Sequence, residues 1–599
     1  MKSDKKMAIL VTAIIAVSVF AAIPATQAVK IEYPAPDLKW KNVDSTGAVT
    51  DVAIGDLTGN GIADVAFIDS QLPGTVFVVY GNNGTVYWQK DTVAGYSIAV
   101  GDIDGDDDGE NEVIVGGVNN GNSGITVFES DGTFKFFYPT HSQFVKDIEL
   151  GKVDGDNVDD IVACNSYVNA FIDAWVYAID GNGNNITGWP INFPDENIED
   201  IALGNLDGSG GLDVAILSGF GWRVFATLYV YNSTGDQLWV NNSVSGRSVE
   251  IGNVDTDPEE EVVIGDWASN HVYVYDGATG APEYSFYTVH PPTEVELGDL
   301  DGDASDLEIA VITGEVLDET IFAIDINATG QVNEMWRYSI DWTPYYYYGE
   351  GLAIGDVDRD YKNEVIAASD GFYGYSIYAF DGIDSNDDGL GDVVWRYDGI
   401  NENINDIEVG DIDGDDDMDV IVGTGGGDSV YALSTQEHTA EVEGETIFFD
   451  SDPSNITDVA SVEMPPNPPS GYNFPYGVFA INITVPVGGT AIITLTLPDN
   501  LPANSVYWKY GPNGSLPPRN PNPHWYQVPL DSNDGDNMIT ITLQDGGIGD
   551  ADGAADGVIV DSGGPANPAA RVPTLTPIGL IALVGLLSVI VALSIRKRR

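Results

Sequence analysis

The 599-residue chain has one cysteine, Cys164, five histidines, and only 23 Lys+Arg against 94 Asp+Glu. A single cysteine excludes an intrachain disulfide, so something else must tie its loops down. A formal charge of -71 excludes a nucleic-acid backbone as partner, because phosphate binding needs a basic face. His141, His271, His290, His438 and His524 are scattered, with no HExxH or G-x-S-x-G context around them. The chain is therefore expected not to be an enzyme. What it does have is 43% hydrophobic and 10% aromatic residues, which excludes disorder for most of its length. Its 69 glycines and many short β-branched runs favour an all-β chain rich in turns.

Long apolar runs occur only at the two ends. Lys2, Lys5 and Lys6 precede an apolar run from Met7 to Ile23 and small residues at Thr26 and Ala28, the pattern of a signal peptide over residues 1–28. Residues 577–595 are long enough to cross a bilayer as a helix, and the basic tail 596–599 should stay cytoplasmic. The body between is then expected outside the cytoplasm, at the cell surface, with a membrane partner through that helix.

An acidic motif recurs through the body. It reads "GDLTGNGIAD" from Gly55, "GDIDGDDDGENE" from Gly101, "GKVDGDNVDD" from Gly151 and "GNLDGSGGLD" from Gly204. It continues as "GNVDTDPEEE" from Gly252, "GDLDGDASDLE" from Gly298, "GDVDRDYKNE" from Gly355 and "GDIDGDDDMD" from Gly410. The first loop residues lie 46 to 57 residues apart. An alternating strand enters each loop and an apolar strand leaves it. A "VYVYDG"-like strand and turn follow, and then a strand often marked by Trp88, Trp189, Trp239, Trp336 or Trp395. Four antiparallel strands per repeat describe a propeller blade. The eighth repeat stops after Thr435 without its Trp strand, and "PDLKWKNV" (Pro36–Val43) stands before the first repeat. The expectation is an eight-bladed β-propeller over residues 34–436, closed by the N-terminal strand, since closure removes open sheet edges.

Two bare carboxylates ~4 Å apart repel by roughly 4 kcal/mol at an effective dielectric near 20, so clustered loops must be solvated or neutralised. Oxygen side chains at loop positions 1, 3, 5 and 9, with a backbone carbonyl available at position 7, suit Ca²⁺. Four sets carry most charge: Asp102/Asp104/Asp106/Glu112, Asp299/Asp301/Asp303/Glu308, Asp356/Asp358/Asp360/Glu364 and Asp411/Asp413/Asp415/Asp419. Asn253/Asp255/Asp257/Glu261 follows. Asp56/Thr58/Asn60/Asp64 and Asn205/Asp207/Ser209/Asp213 carry fewer charges and should bind more weakly. In the third loop Lys152 takes position 1, and its ammonium is expected to stand in for metal beside Asp154, Asp156 and Asp160. D-x-D-x-D-G-x-x-D between such strands resembles the FG-GAP (VCBS) repeats of integrin α-subunit propellers. That resemblance implies a propeller with structural calcium in the loop joining strands 1 and 2 of each blade. Eight calcium ions would offset under a quarter of the net charge; the remaining acid reads as a solvated surface.

Residues 440–563 hold Pro-punctuated β-type segments and are expected to form a small β-sandwich. "VYWKYGPNG", "HWYQV" and "TLQDGGIGDADGAADGVIVDSGGPA" resemble the choice-of-anchor U domain of prokaryotic surface proteins. Asp550, Asp552 and Asp556 there form either a further calcium loop or an acidic turn. Residues 564–576 read as a linker, and the tail from Val572 resembles archaeal and bacterial sorting signals. Eight N-x-S/T sequons, among them Asn83, Asn232 and Asn482, fit a glycosylated surface protein.

Three functions fit these features. A surface adhesion, ligand-binding or envelope-structure module is favoured. A polysaccharide lyase-like enzyme on a calcium propeller, and a quinoprotein-like oxidoreductase suggested by the "VYAIDG…W" pattern, are the alternatives. Surface proteins or glycans are the expected partners. The face opposite the acidic loops receives aromatic connections, and Trp222, Trp342, Tyr346 and Phe372 are expected to line its contact surface.

Overall fold

The computed structural model describes residues 35–568, except 46, 70–73, 92, 106–110, 142–144, 166–172, 221–222, 256–258, 304, 315–318, 328, 341–350, 359–361, 372–373, 385–388, 415–417, 426–428, 436–437, 443–444, 453–454, 463, 486, 499, 503–504, 513–521, 531–537, 548 and 551–556. The expected signal peptide and the expected membrane helix lie outside the described residues. Among the described residues no helix is long and apolar enough to cross a membrane. The described residues are all-β, and the chain divides into two compact units, Met1–Gln436 and Glu437–Arg599.

The first unit is an eight-bladed β-propeller of four-stranded antiparallel sheets. Blade 1 runs Val49–Gly55, Asp64–Asp69, Thr75–Val79 and Val86–Asp91, and six more blades repeat this order. The eighth sheet takes three strands, Ile404–Gly410, Asp419–Thr424 and Val430–Ser434, from the end of the unit. Its fourth is Asp37–Asn42, paired with Trp40 opposite Ala432 and Asn42 opposite Val430.

Burial explains the strand patterns. Each blade is covered on both faces by its neighbours, so second strands such as Asp64–Asp69, Glu308–Thr313 and Asp419–Thr424 are wholly buried. They read as continuous apolar runs behind one acidic residue. Outer strands such as Pro282–Tyr287 alternate half-buried and exposed positions. The core is a ring of inter-blade layers. One of them joins Trp40, Ile421 and Val430 of blade 8 to Val52, Phe67 and Phe77 of blade 1. Full burial of each such side chain contributes about 1.5–3 kcal/mol.

Two sets of polar bonds index the blades. On the outer strands, an indole N–H donates to the third-to-fourth-strand turn of the following blade: Trp88 to Ser130 O (2.7 Å), Trp239 to Gly277 O (2.6 Å) and Trp336 to Gly382 O (2.8 Å). Trp40 does the same to Gly81 O, from blade 8 to blade 1. Trp189 precedes its short outer strand, Ile191–Phe193, rather than lying within it, yet still reaches Ser233 O. The turn beneath each indole has no room for a side chain. At Gly280, with φ +67°, a Cβ would lie 2.6 Å from the Trp239 ring.

On the inner strands, the residue four before the terminal glycine bonds the backbone of the next blade. Asp51 accepts from Ile98 N–H (2.7 Å), Asp147 from Ile201 N–H (3.3 Å) and Asp200 from Val249 N–H (2.8 Å). Ser248, Glu294 and Asp406 accept from Val295, Gly351 and Val52. Ser97 Oγ instead donates to Val145 O. A register shift beside these positions, for example between Val49 and Asp51 or Ile404 and Asp406, turns the side chain toward the neighbour.

The second unit has two antiparallel sheets, one of four strands and one of six, around a shared core that includes Phe449, Phe479, Ile493, Tyr507 and Ile541. Its last strand, Val558–Pro568, runs past the boundary expected at residue 563 into the segment expected to be a linker.

Removing Pro36–Val43 would leave Val430–Ser434 without its outer partner and withdraw Trp40 from the blade 8–blade 1 layer. Differential scanning calorimetry of this deletion should show loss of the cooperative propeller transition or aggregation. A parental melting curve would refute the closing role of the strand.

Candidate metal centres and the axial channel

The last acidic residue of every loop falls at one place in the fold. It opens the second strand of its blade and pairs with the glycine that ends the first: Gly55 with Asp64, Gly101 with Glu112, Gly151 with Asp160, Gly204 with Asp213. Gly252 pairs with Glu261, Gly298 with Glu308, Gly355 with Glu364 and Gly410 with Asp419. All eight carboxylates are buried. The longer second and sixth loops therefore still bring Glu112 and Glu308 to the same register position. In each blade a loop N–H donates to this carboxylate, as Leu57 does to Asp64, Ile103 to Glu112, Val357 to Glu364 and Ile412 to Asp419.

Position 1 holds the turn from the other side. Asp56 accepts from Thr58, Asn60 and Gly61 N–H, Asp102 from Gly105 N–H, and Asp411 from Gly414 N–H. Among the described residues, positions 1, 3 and the last converge in at least three loops. Ligand oxygens of Asp102, Asp104 and Glu112 lie within 4.8 Å of one another, as do those of Asp299, Asp301 and Glu308, and of Asp356, Asp358 and Glu364. Oxygens bound to one Ca²⁺ at about 2.3–2.6 Å must lie this close, so these groups could hold a metal ion. Among the fifth-position residues, Asp106, Asp257, Asp360 and Asp415 lie outside the described residues, while Asn60, Asp156, Ser209 and Asp303 are exposed.

Blade 4 keeps the same turn with the fewer charges its sequence carries. Asp207, expected as its position-3 metal ligand, is exposed, as are Asn205 and Ser209, and only Asp213 of the four is buried. The Asp207 carboxylate accepts the Ser209 N–H (2.7 Å), while the Asp207 N–H donates to Asp213 (2.8 Å). Asp207 caps its own turn as the exposed Asp301 does in blade 6, where Asp303 N–H donates to Asp301 and Asp301 N–H to Glu308, and its charge adds to the field on Asp213. With asparagine at position 1, this loop supplies two carboxylates where the converging loops supply three. The same capping occurs in blade 3, where Asp154 accepts from the Asp156 N–H (3.0 Å) and both side chains are exposed.

The electrostatics point to a missing positive charge. Burial pushes Glu112, Glu308 and Asp419 up to about 7, and Asp160 and Asp213 to about 6, with neighbouring loop aspartates adding to the rise. Asp213 is fully buried, and although the backbone of Leu206 and Ser233 faces its carboxylate, its Oδ1 makes no close hydrogen bond among the described residues. A hard divalent cation would satisfy both that oxygen and the charge.

Lys152 does not play the expected part. Its side chain is exposed, and among the described residues no ion pair joins it to Asp154, Asp156 or Asp160. An exposed ammonium keeps its water, and nothing at this turn draws it into the loop. Two lysines from elsewhere do enter loops. Lys135, on the outer strand of blade 2, pairs with Asp104, Glu112 (3.1 Å) and Glu129 (3.2 Å). Lys39, on Asp37–Asn42, pairs with Asp413 and with Asp419 (3.3 Å). The signal was a basic residue directly before an outer-strand aromatic, in "LKW" and "FKF".

A second acidic feature lies on the axis. Two residues before the terminal glycine, four inner strands carry Glu149, Glu250, Glu296 and Glu408. Glu149, Glu250 and Glu296 are half-buried and Glu408 is exposed, yet desolvation among the surrounding inner strands, and after it other carboxylates, raises their pKa values. Glu408 of blade 8 acts on Glu149 of blade 3 and on Glu296 of blade 6, which places these side chains around a common channel. Glu250 and Glu296 are held well above the usual carboxylate range and Glu408 rises to about 8. The trace of this ring in the sequence is the alternation in "KDIELG", "TEVELG" and "NDIEVG".

Trp222, Trp342, Tyr346 and Phe372, expected to line a contact surface, lie outside the described residues. The strands on either side of two of them are described: Phe220 pairs with Arg223, and Gly371 with Gly374.

No family model and no curated relative matches the sequence. Solved structures with a similar fold include the rhamnogalacturonan lyase YesW, at 15% identity over 68% of this chain and 75% of that one, TM-score 0.43. The Dos1 propeller matches at 12% identity over 67% and 95%, TM-score 0.46, and BamB from Moraxella catarrhalis at 14% over 67% and 98%, TM-score 0.41. At these identities the likeness concerns the propeller fold and carries no argument about activity.

The channel sets a pH dependence of known sign. A carboxyl with a raised folded pKa holds its proton more tightly in the folded chain. Its stabilising contribution is whole below the ordinary value of 4.5 and is lost as pH rises through about 8, the range given by Glu408. Glu250→Gln combined with Glu296→Gln should therefore raise the melting temperature above the parent's near pH 8 and leave it almost unchanged near pH 4. Equal shifts at both pH values would remove the channel from the account.

Proposed function

We propose that this chain is an exported, membrane- or envelope-anchored surface protein whose calcium-binding propeller serves as an adhesion, ligand-binding or envelope-structure module. In this reading the propeller is closed by the N-terminal strand. The two-sheet unit is a sandwich of the choice-of-anchor U type, and residues 577–595 form the anchor or a processed sorting signal. The observation that carries the calcium part is the buried carboxylate at one register position in all eight blades, with Asp213 Oδ1 making no close hydrogen bond among the described residues. Position 1, position 3 and this last carboxylate would hold the ion in blades 6 and 7, where they converge, whereas in blade 2 Lys135 already pairs with Asp104 and Glu112. In blade 4 the ion would rest chiefly on Asp213, with Asp207 contributing charge from the turn. The ion would offset carboxylate repulsion and bind strand 1 to strand 2, a restraint that a chain with one cysteine cannot obtain from disulfides.

Stripping metal with EDTA should lower the melting temperature of the purified chain, and calcium but not an equal ionic strength of sodium should restore it. At 100 times Kd each independent site stabilises by about 2.7 kcal/mol. An unchanged curve after verified metal removal would overturn the calcium reading. For the binding module, a glycan array should yield a ligand whose capture is weakened by alanine at Trp222, Trp342, Tyr346 and Phe372, with no loss of melting temperature. Cleavage of an acidic polysaccharide in a parallel screen would instead establish the lyase-like alternative.

A further inference from the structure

Lys39 and Lys135 occupy equivalent places. In blade 2, Phe128 pairs with Phe134 and Val127 with Phe136, so Lys135 is the extra residue of a β-bulge. In blade 8 the register shifts between Leu38 and Trp40, which makes Lys39 the extra residue. In blade 5, Tyr275 pairs with Pro282 and Val274 with Tyr284, and the extra residue is Glu283. A bulge re-aims one side chain, and here it aims it at the blade's own acidic loop. Both ammonium groups lie between position 3 and the last loop position: Asp104 and Glu112 in one blade, Asp413 and Asp419 in the other. Glu283 brings a third carboxylate within 4.8 Å of Asp255 and Glu261. The same bulge place in other blades holds an uncharged residue: Tyr87, Leu238, Met335 or Val394, each packed against a core layer.

We propose that this one outer-strand bulge residue decides what the acidic loop binds in the seven blades that carry it; the short outer strand of blade 3 pairs without a register shift and has none. Lys39 and Lys135 supply the cation internally in blades 8 and 2, Glu283 raises the metal affinity of blade 5, and the uncharged residues leave their loops to metal at the affinity their own ligands set. The inference rests on the calcium reading above and deepens it. An independent pointer to a bound cation is Asp213 in blade 4, fully buried with an Oδ1 that makes no close hydrogen bond among the described residues, in a blade whose bulge residue is the uncharged Leu238. An ammonium and a divalent ion cannot share the same two carboxylates without strong repulsion, so each loop takes one or the other. Metal-site number is then set on the outer strands, and blade 8 is cross-linked to the N-terminal strand without metal.

The test is isothermal titration of the EDTA-stripped full chain with calcium, with bound metal counted independently by mass spectrometry. Lys39→Met combined with Lys135→Met, which keeps both stems, should bind two more calcium ions than the parent. Met335→Lys, which extends the same logic to blade 6, should bind one fewer. Glu283→Gln should weaken one site by roughly tenfold, since ligand charge tunes calcium affinity. A parent that binds calcium while the double variant and Met335→Lys both keep its stoichiometry would overturn the proposal and leave the calcium reading standing. A parent that binds none would overturn both. If the double variant folds only when calcium is present, the metal has replaced the ammonium and the proposal is supported. If it does not fold at all, the Met335→Lys stoichiometry decides.

Discussion

A carboxylate buried at the start of every second strand is the constraint on which the propeller depends. It sits where the strand leaves its loop, opposite a glycine, with apolar neighbours on both faces. Desolvation first, and nearby loop aspartates after it, drive such a group toward its neutral form, as the rise of Glu112, Glu308 and Asp419 to about 7 indicates. Backbone N–H donors from the loop offset part of that cost. The remainder calls for positive charge, and two loops receive it from lysines of their own chain. The acidic loops are therefore tied to the packing of the blades as well as to their turns.

Around that constraint the blades are indexed at two radii. Indole N–H groups reach the next blade near the rim, and aspartate, glutamate and serine side chains reach the next backbone near the axis. Both sets run in the same direction round the ring and include a junction from blade 8 to blade 1, through Trp40 to Gly81 and Asp406 to Val52. Each bond satisfies a backbone group at a blade edge that would otherwise be buried without a partner. Apolar layers supply most of the stability, while these bonds fix the angular register between sheets.

The inner-strand acids show how one residue type takes two roles within four positions. Asp200, four before its glycine, is bonded to the next blade, whereas Glu250, two before the equivalent glycine, faces the channel and other carboxylates. Repulsion at the axis is eased by protonation, which the raised pKa values favour, and by the solvent exposure that Glu408 keeps.

Much of this was legible in the residues. Eight motifs at 46 to 57 residues, apolar exits behind one acid, and a Trp-bearing segment placed before the first repeat imply eight similar blades, since burial on both faces forces that pattern on any such strand. The same periodicity marked the loop carboxylates, but not which of them are buried: Asp207 and Asp213 fit one motif, yet the first stays in solvent capping a turn and the second is enclosed. Nor could periodicity assign Lys39, Lys135 or Lys152 their places. A lysine beside an acidic loop in sequence, Lys152, stays exposed, while Lys39 meets Asp413 from 374 residues earlier. That outcome depends on strand pairing and on a bulge that turns one side chain by half a pleat. Local sequence by itself determined which segments are strands and which loops are acidic; only the tertiary structure decided which charges meet, because a bulge and a ring closure bring together residues that no local pattern relates.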